Sequence, residues 1–118
     1  NKIDKLNKLI SKHEEEITNP LLNYISSRKD IRLIGKKEIK NKNRAPTISF
    51  TINGLSAKKV SQMLVNQGIA TRNDNFYAWR CLNALGIDTN DGVVRTSLVH
   101  YNNKQDVDKL INSIKNIK

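Results

Sequence analysis

Among its 118 residues the chain has a single cysteine, Cys81, and it has no long apolar run. One thiol cannot close an internal disulfide, which agrees with a reducing compartment. Without an apolar stretch of spanning length or a charged-then-apolar leader, neither a transmembrane helix nor a secretory signal is expected, and a cytoplasmic location follows by default. The chain starts at Asn1 and not at a methionine, so it reads as an excised or processed piece. It lacks a glycine-rich phosphate loop, a serine-centred elbow and a paired-carboxylate constellation. His13 stands beside Glu14, Glu15 and Glu16. With no cysteine or second histidine at ligand spacing, no metal site is expected there.

What the chain has in abundance is positive charge, a formal +10. Between Arg28 and Arg44 eight basic residues are set against only Asp30 and Glu38, a local excess of +6. Such a cluster raises a nucleic acid or an acidic protein as a partner. Residues 36–43 read as a basic polar loop, however, and no aromatic side chain lies among these charges to stack on a base. Lysine and asparagine are common elsewhere in the chain too. A basic nucleic-acid or acidic-partner binding module is therefore the alternative reading, and nucleic acid is not the expected partner.

Length suggests one domain over residues 1–118. Residues 1–25 form an amphipathic leading helix, with Leu6, Ile10, Ile17, Leu21 and Tyr24 on one stripe and a kink or restart expected near Pro20. Short strands follow at Ile31 to Ile34 and at Pro46 to Asn53, where Ile48, Phe50 and Ile52 alternate with Thr47, Ser49 and Thr51. Ser56 caps a helix that Gly68 stops, and Ile69 to Arg72 reads as a strand. Phe76, Trp79, Leu82 and Leu85 suggest a short helix, with the aromatic cluster as core and loop packing and Cys81 buried and inert. Asn103 and Asp106 form a capping box before Val107, Leu110, Ile111 and Ile114. The expected class is α+β: a small, mostly antiparallel sheet with helices packed on one face.

The stretch Gly92 to Asn102 is a strand with one arginine on an apolar face. Alternation places Val93, Arg95, Ser97, Val99 and Tyr101 together, and Val94, Thr96, Leu98 and His100 on the other side. A guanidinium among valines calls for a planar anion, and a carboxylate satisfies it with two parallel hydrogen bonds. An arginine paired with a protein carboxylate, or lying along an exposed edge, fits the pattern too. His100 is placed to help fix the turn into the last helix.

Three blocks are similar to a known family: Arg44-Ala45-Pro46-Thr47-Ile48-Ser49-Phe50, the segment from Gly68-Ile69-Ala70-Thr71-Arg72 to Ala78, and Val94-Arg95-Thr96-Ser97-Leu98-Val99-His100-Tyr101-Asn102. In order and spacing they resemble the C-terminal small domain of class V aminotransferases, most closely the cysteine desulfurase-like branch of these pyridoxal-phosphate enzymes. The resemblance implies the small domain of a fold-type I enzyme, acting on an amino acid as a lyase or transferase. By that resemblance Arg95 grips the substrate α-carboxylate, Arg72 adds positive potential near the site or is an exposed structural arginine, and Tyr77 lines the pocket. A pattern resembling R-x-G-x-x-C marks the desulfurases, and here Asp74 takes the place of its glycine and Tyr77 that of its thiol. That departure puts persulfide chemistry in doubt. Pyridoxal phosphate and its lysine are implied to lie in a large domain of the same polypeptide, joined through the first helix, whose stripe is then partly uncovered in this piece. The resemblance also implies a homodimer when full length, and a fragment that is catalytically inert and holds no cofactor alone.

Overall fold

The computed structural model describes residues 1–117; Lys118, the last residue of the expected 1–118 domain, lies outside them. Helix α1 (Lys2–Ser27) opens on a capping box. The Asn1 side chain accepts from the Asp4 N–H at 2.9 Å, and the Asp4 carboxylate accepts from the Asn1 backbone nitrogen. The expected restart near Pro20 does not occur, and one helix runs through the proline. Losing one backbone bond at Pro20 is offset by Ile17, Leu21, Leu22 and Ile25, all buried in the core. Asn19, next to the proline, bonds the backbone of Ile39 in both directions, at 2.8 and 3.0 Å. The first turns of α1 leave Ile3, Leu6 and Leu9 exposed, so the apolar stripe is covered only over its second half.

Strands β1 (Ile31–Ile34), β2 (Thr47–Ile52), β3 (Arg72–Asp74) and β4 (Val93–Ser97) form one antiparallel sheet in the order β1-β2-β4-β3. Ile48, Phe50 and Ile52 of β2 and Val94 and Thr96 of β4 point to one face and are buried. Helices α1, α2 (Ala57–Asn66) and α4 (Lys104–Lys115) pack over this face through Leu21, Leu22, Val60, Leu64, Val107 and Ile114. The α+β architecture expected from the sequence is thus the one observed, and the sheet is antiparallel throughout. Helix α2 starts at Ser56 and α4 at the Asn103–Asp106 capping box, both as expected.

Several readings need correction. Strand β3 lies three residues downstream of Ile69, because its state is imposed by pairing with β4: Arg72, Asn73 and Asp74 oppose Arg95, Val94 and Val93. Its polar residues have no apolar alternation to announce a strand. The short helix α3 (Trp79–Ala84) excludes Phe76 and buries only Leu82. Cys81 is exposed, since one residue away from Leu82 is about 100° around the helix. Trp79 and Tyr77 are exposed rather than packed. The strand of Arg95 ends at Ser97, and the turn beyond it is held by Asn102, whose Oδ1 accepts from the Val99 N–H at 2.8 Å while its own N–H reaches the Val99 carbonyl at 2.9 Å. His100 is exposed and makes none of these bonds. Among the described residues no helix is long and apolar enough to cross a membrane.

Candidate functional site

The face of the sheet opposite the three core helices carries the residues that alternate with the core. In register across it stand Ser49 of β2, Arg95 of β4 and Arg72 of β3. Residues directly opposite in antiparallel strands project to the same side, so the two arginines are neighbours. Arg95 is half-buried and Arg72 exposed. The Cζ of Arg95 lies 3.9 Å from the centroid of the Phe76 ring, and that of Arg72 lies 5.8 Å from the same centroid. One aromatic ring therefore serves both cations, an attraction of about 0.5–1 kcal/mol for an exposed contact and about 2 when water is excluded.

The loop that presents Phe76 is held in an uncommon conformation. Phe76 and Tyr77 have φ of 51° and 60°, the left-handed region that side chains with a Cβ avoid. Asn75 fixes them. Its Oδ1 accepts from the Tyr77 N–H at 2.9 Å, its Nδ2 donates to the Thr89 carbonyl at 3.2 Å, and its carbonyl accepts from the Ala78 N–H at 2.9 Å. The other end of the loop closes at Gly92, where φ is 76° and a side-chain carbon would stand 2.3 Å from the Asp74 carbonyl. Only glycine admits that approach. The strained turn and the tight closure together set Phe76 beside the arginines, and Tyr77 stands out from the same loop, 91% exposed.

Among the described residues neither guanidinium has a carboxylate within 4.0 Å, and the arginine ion pair found there is Arg28 with Asp30. Two like charges directly opposite on a sheet disfavour each other unless an anion lies between or beside them. The two guanidiniums present planar donors whose geometry matches that of a carboxylate. Of the three residues singled out from sequence, Arg95 and Arg72 come together, and Tyr77 belongs to their loop without touching them through any hydrogen bond described. Phe76 escaped attention as a platform. Its signal was its position four residues after Arg72, inside a cluster that read as packing.

The basic segment from Arg28 to Arg44 is less free than its charge suggests. Arg28 forms a bidentate pair with Asp30, at 2.8 and 2.6 Å, and donates to the Tyr24 hydroxyl at 2.6 Å. The Asp30 bond raises the Arg28 pKa, and the same bond lowers that of Asp30. Arg44 donates to the backbone carbonyls of Lys36, Ala45 and Thr47, and burial pushes its pKa down. Residues 36–43 are a polar loop pinned at one buried residue, Ile39. His13, read only as a poor metal ligand, donates from Nε2 to the Asn102 carbonyl at 2.7 Å and ties α1 to the turn after the arginine strand. No group of three potential metal ligands is found among the described residues.

Comparison with known proteins bears on the family and the fold. The model of the class-V aminotransferase family matches residues 4–110. An aminotransferase-like protein of Gibberella zeae is 34% identical over 103 residues, which cover 86% of this chain and 26% of that protein. A probable cysteine desulfurase of Pseudomonas putida is 28% identical over 105 residues, 89% of this chain and 24% of its own length. Among solved structures, the apo cysteine desulfurase of Thermococcus onnurineus superposes with a TM-score of 0.77 at 23% identity, over 90% of this chain and 25% of that one. The Escherichia coli cysteine desulfurase gives 0.67 at 24% identity, over 86% and 24%. At these identities the structural likeness speaks for the fold. The chain spans about a quarter of the length of the relatives it matches.

Proposed function

The chain belongs to the class-V aminotransferase family, and on that premise we propose that it is the C-terminal, substrate-orienting domain of a pyridoxal-phosphate-dependent enzyme, cysteine desulfurase-like or aminotransferase-like, acting on an amino acid. The observation that carries this is Arg95, half-buried, seated on Phe76 and without a carboxylate partner among the described residues. Its free donors suit the α-carboxylate of an amino acid, held by two parallel bonds. Stacking removes rotational freedom from the guanidinium before substrate arrives, so less is lost on binding.

The cofactor supplies an electron sink for carbon–hydrogen or carbon–heteroatom cleavage next to the amino group. Holding it takes a desolvated lysine, an acid for the ring nitrogen and donors for the phosphate. The residues here do not fit that group. Every described lysine is exposed, and none is desolvated as a Schiff-base lysine must be. Cofactor and catalytic lysine are therefore assigned to a large domain elsewhere in the polypeptide, with a homodimer as the working assembly and this chain inert alone. Asp74 and Tyr77, in the positions where the desulfurase pattern has glycine and cysteine, argue against a persulfide formed on this loop.

In the full-length protein, Arg95→Ala should raise KM for the amino acid by roughly 10- to 100-fold, the equivalent of a lost charged hydrogen-bonded contact. Arg95→Lys, which keeps charge but loses the fork, should recover only part of it. A KM unchanged in both variants rejects the assignment.

A further inference from the structure

Asn75 holds the Phe76 turn from two sides. Its Oδ1 accepts from the Tyr77 N–H at 2.9 Å, closing the turn in which Phe76 and Tyr77 are both left-handed, and its Nδ2 donates to the Thr89 carbonyl at 3.2 Å. The first bond holds the backbone angles of Phe76, and the second fixes where the turn stands against residues 88–91. That segment is itself anchored. The Gly92 N–H donates to the Asp88 carbonyl at 2.8 Å and the Asn90 N–H to the Asp88 Oδ1 at 2.9 Å. Both carboxylate oxygens of Asp91 accept from the N–H of Ala57, the first residue of α2, at 2.9 and 3.0 Å. Ala57 is buried in the core. A continuous set of contacts therefore runs from the packed start of α2 through Asp91, Thr89 and Asn75 to the Phe76 turn, and from its ring to the Arg95 guanidinium, 3.9 Å away.

We infer that Asn75 and Asp91 are positioning residues for substrate binding, acting on Arg95 through Phe76 rather than on the substrate itself. The inference rests on the reading above, in which Arg95 takes the α-carboxylate, and it adds two residues to that role. A left-handed Phe-Tyr pair does not keep its angles by its own preference. Released by Asn75, the turn relaxes and the ring leaves the guanidinium, which must then be ordered at the moment the carboxylate arrives. Asp91 acts one step further out, by holding the Thr89 carbonyl where Asn75 reaches it.

The test uses the full-length holoenzyme, with dissociation constants read from the change in its visible cofactor absorbance on adding L-alanine, L-cysteine or L-aspartate. The amino acid that binds the unmodified enzyme most tightly serves throughout. Asn75→Ala and Asp91→Ala should each weaken its binding about 2- to 5-fold, and no more than Phe76→Gly does, since both act through that ring. Asp91→Asn keeps an acceptor for the Ala57 N–H and should restore most of the loss. A double-mutant cycle gives the readout that a merely structural role would not move: with Arg95→Ala already in place, Asn75→Ala and Asp91→Ala should each change the constant by less than about 1.5-fold. Equal factors with and without Arg95 would show that the two residues only stabilise the loop, and would overturn the inference; so would either alanine variant binding as tightly as the unmodified enzyme. Arg95→Ala alone separates the two levels. If it weakens binding while Asn75→Ala does not, the positioning role alone is wrong; if it leaves binding unchanged, or none of the three amino acids binds, the underlying role of Arg95 is wrong.

Discussion

Arg95 and Phe76 form the tightest cation–aromatic contact among the described residues, with the guanidinium carbon 3.9 Å from the ring centroid. The contact exists because two consecutive residues, Phe76 and Tyr77, accept left-handed backbone angles, a cost of order 1–3 kcal/mol for each such residue. Phe76→Gly separates the two terms. Glycine adopts the same angles without strain and brings no ring. Stability should hold or rise, while KM for the amino acid rises about 2- to 5-fold, as expected for losing about 0.5–1 kcal/mol of guanidinium anchoring. Thermal unfolding together with steady-state kinetics checks both halves.

Gly92 and Asp74 approach so closely that a side-chain carbon on Gly92 would sit 2.3 Å from the Asp74 carbonyl. Gly92→Ala must therefore push β3 away from the start of β4 as well as strain its own φ of 76°. A loss of roughly 2–3 kcal/mol is expected by denaturant titration. Gly54→Ala is the matched control: its φ is 78°, and nothing lies within 4 Å of the added carbon. It should cost about 1 kcal/mol. Equal effects at the two sites would show that the approach of Gly92 to Asp74 is slack.

The contrast between these segments also explains what could be read from sequence. Helices α1, α2 and α4 and strand β2 are legible because each buries one face and so repeats its apolar residues with the period of its backbone. Strand β3 is not, because Arg72-Asn73-Asp74 is a polar edge strand whose extended state is set by its ladder to β4. Arg95 was found through its valine neighbours. The platform beneath it was hidden, because nothing in local sequence tells that Phe76 turns left-handed and folds back four residues onto Arg72. Side-chain ties between distant segments, such as His13 to Asn102 and Asn19 to Ile39, leave no periodic trace at all.

Asn19 shows how much such a tie carries. Its amide is the tether of a loop that has one buried residue, Ile39, and it satisfies both the N–H and the carbonyl there. Asn19→Ala should cost about 1–3 kcal/mol, the penalty for leaving buried backbone groups unpaired. The loss should appear first as faster proteolysis within residues 36–43, ahead of any change in the helix content. Cleavage at an unchanged rate would mean the loop is held by other means.

Arg28 and Asp30 predict the acid limb of stability. The bond from Arg28 holds the Asp30 carboxyl below its ordinary value. A group with a lowered folded pKa stabilises above its unfolded value, near 3.9 for aspartate, and loses that contribution as pH falls through the folded value. Arg28 has its pKa raised, so its own share is lost only in strong alkali. The pair should therefore be at full strength at neutral pH and fade below about pH 4. Both side chains keep substantial contact with water, at 28% and 44% exposure, so the contribution is that of a well-formed surface pair, about 0.2–1 kcal/mol, and smaller in high salt. Asp30→Asn should lie below the unmodified protein by a constant amount above about pH 5, and the two stability curves should converge as the pH falls through Asp30's lowered value. Parallel curves down to the lowest pH would show that the Asp30 carboxylate gains nothing from Arg28, and that the bidentate geometry places the end of α1 by shape alone.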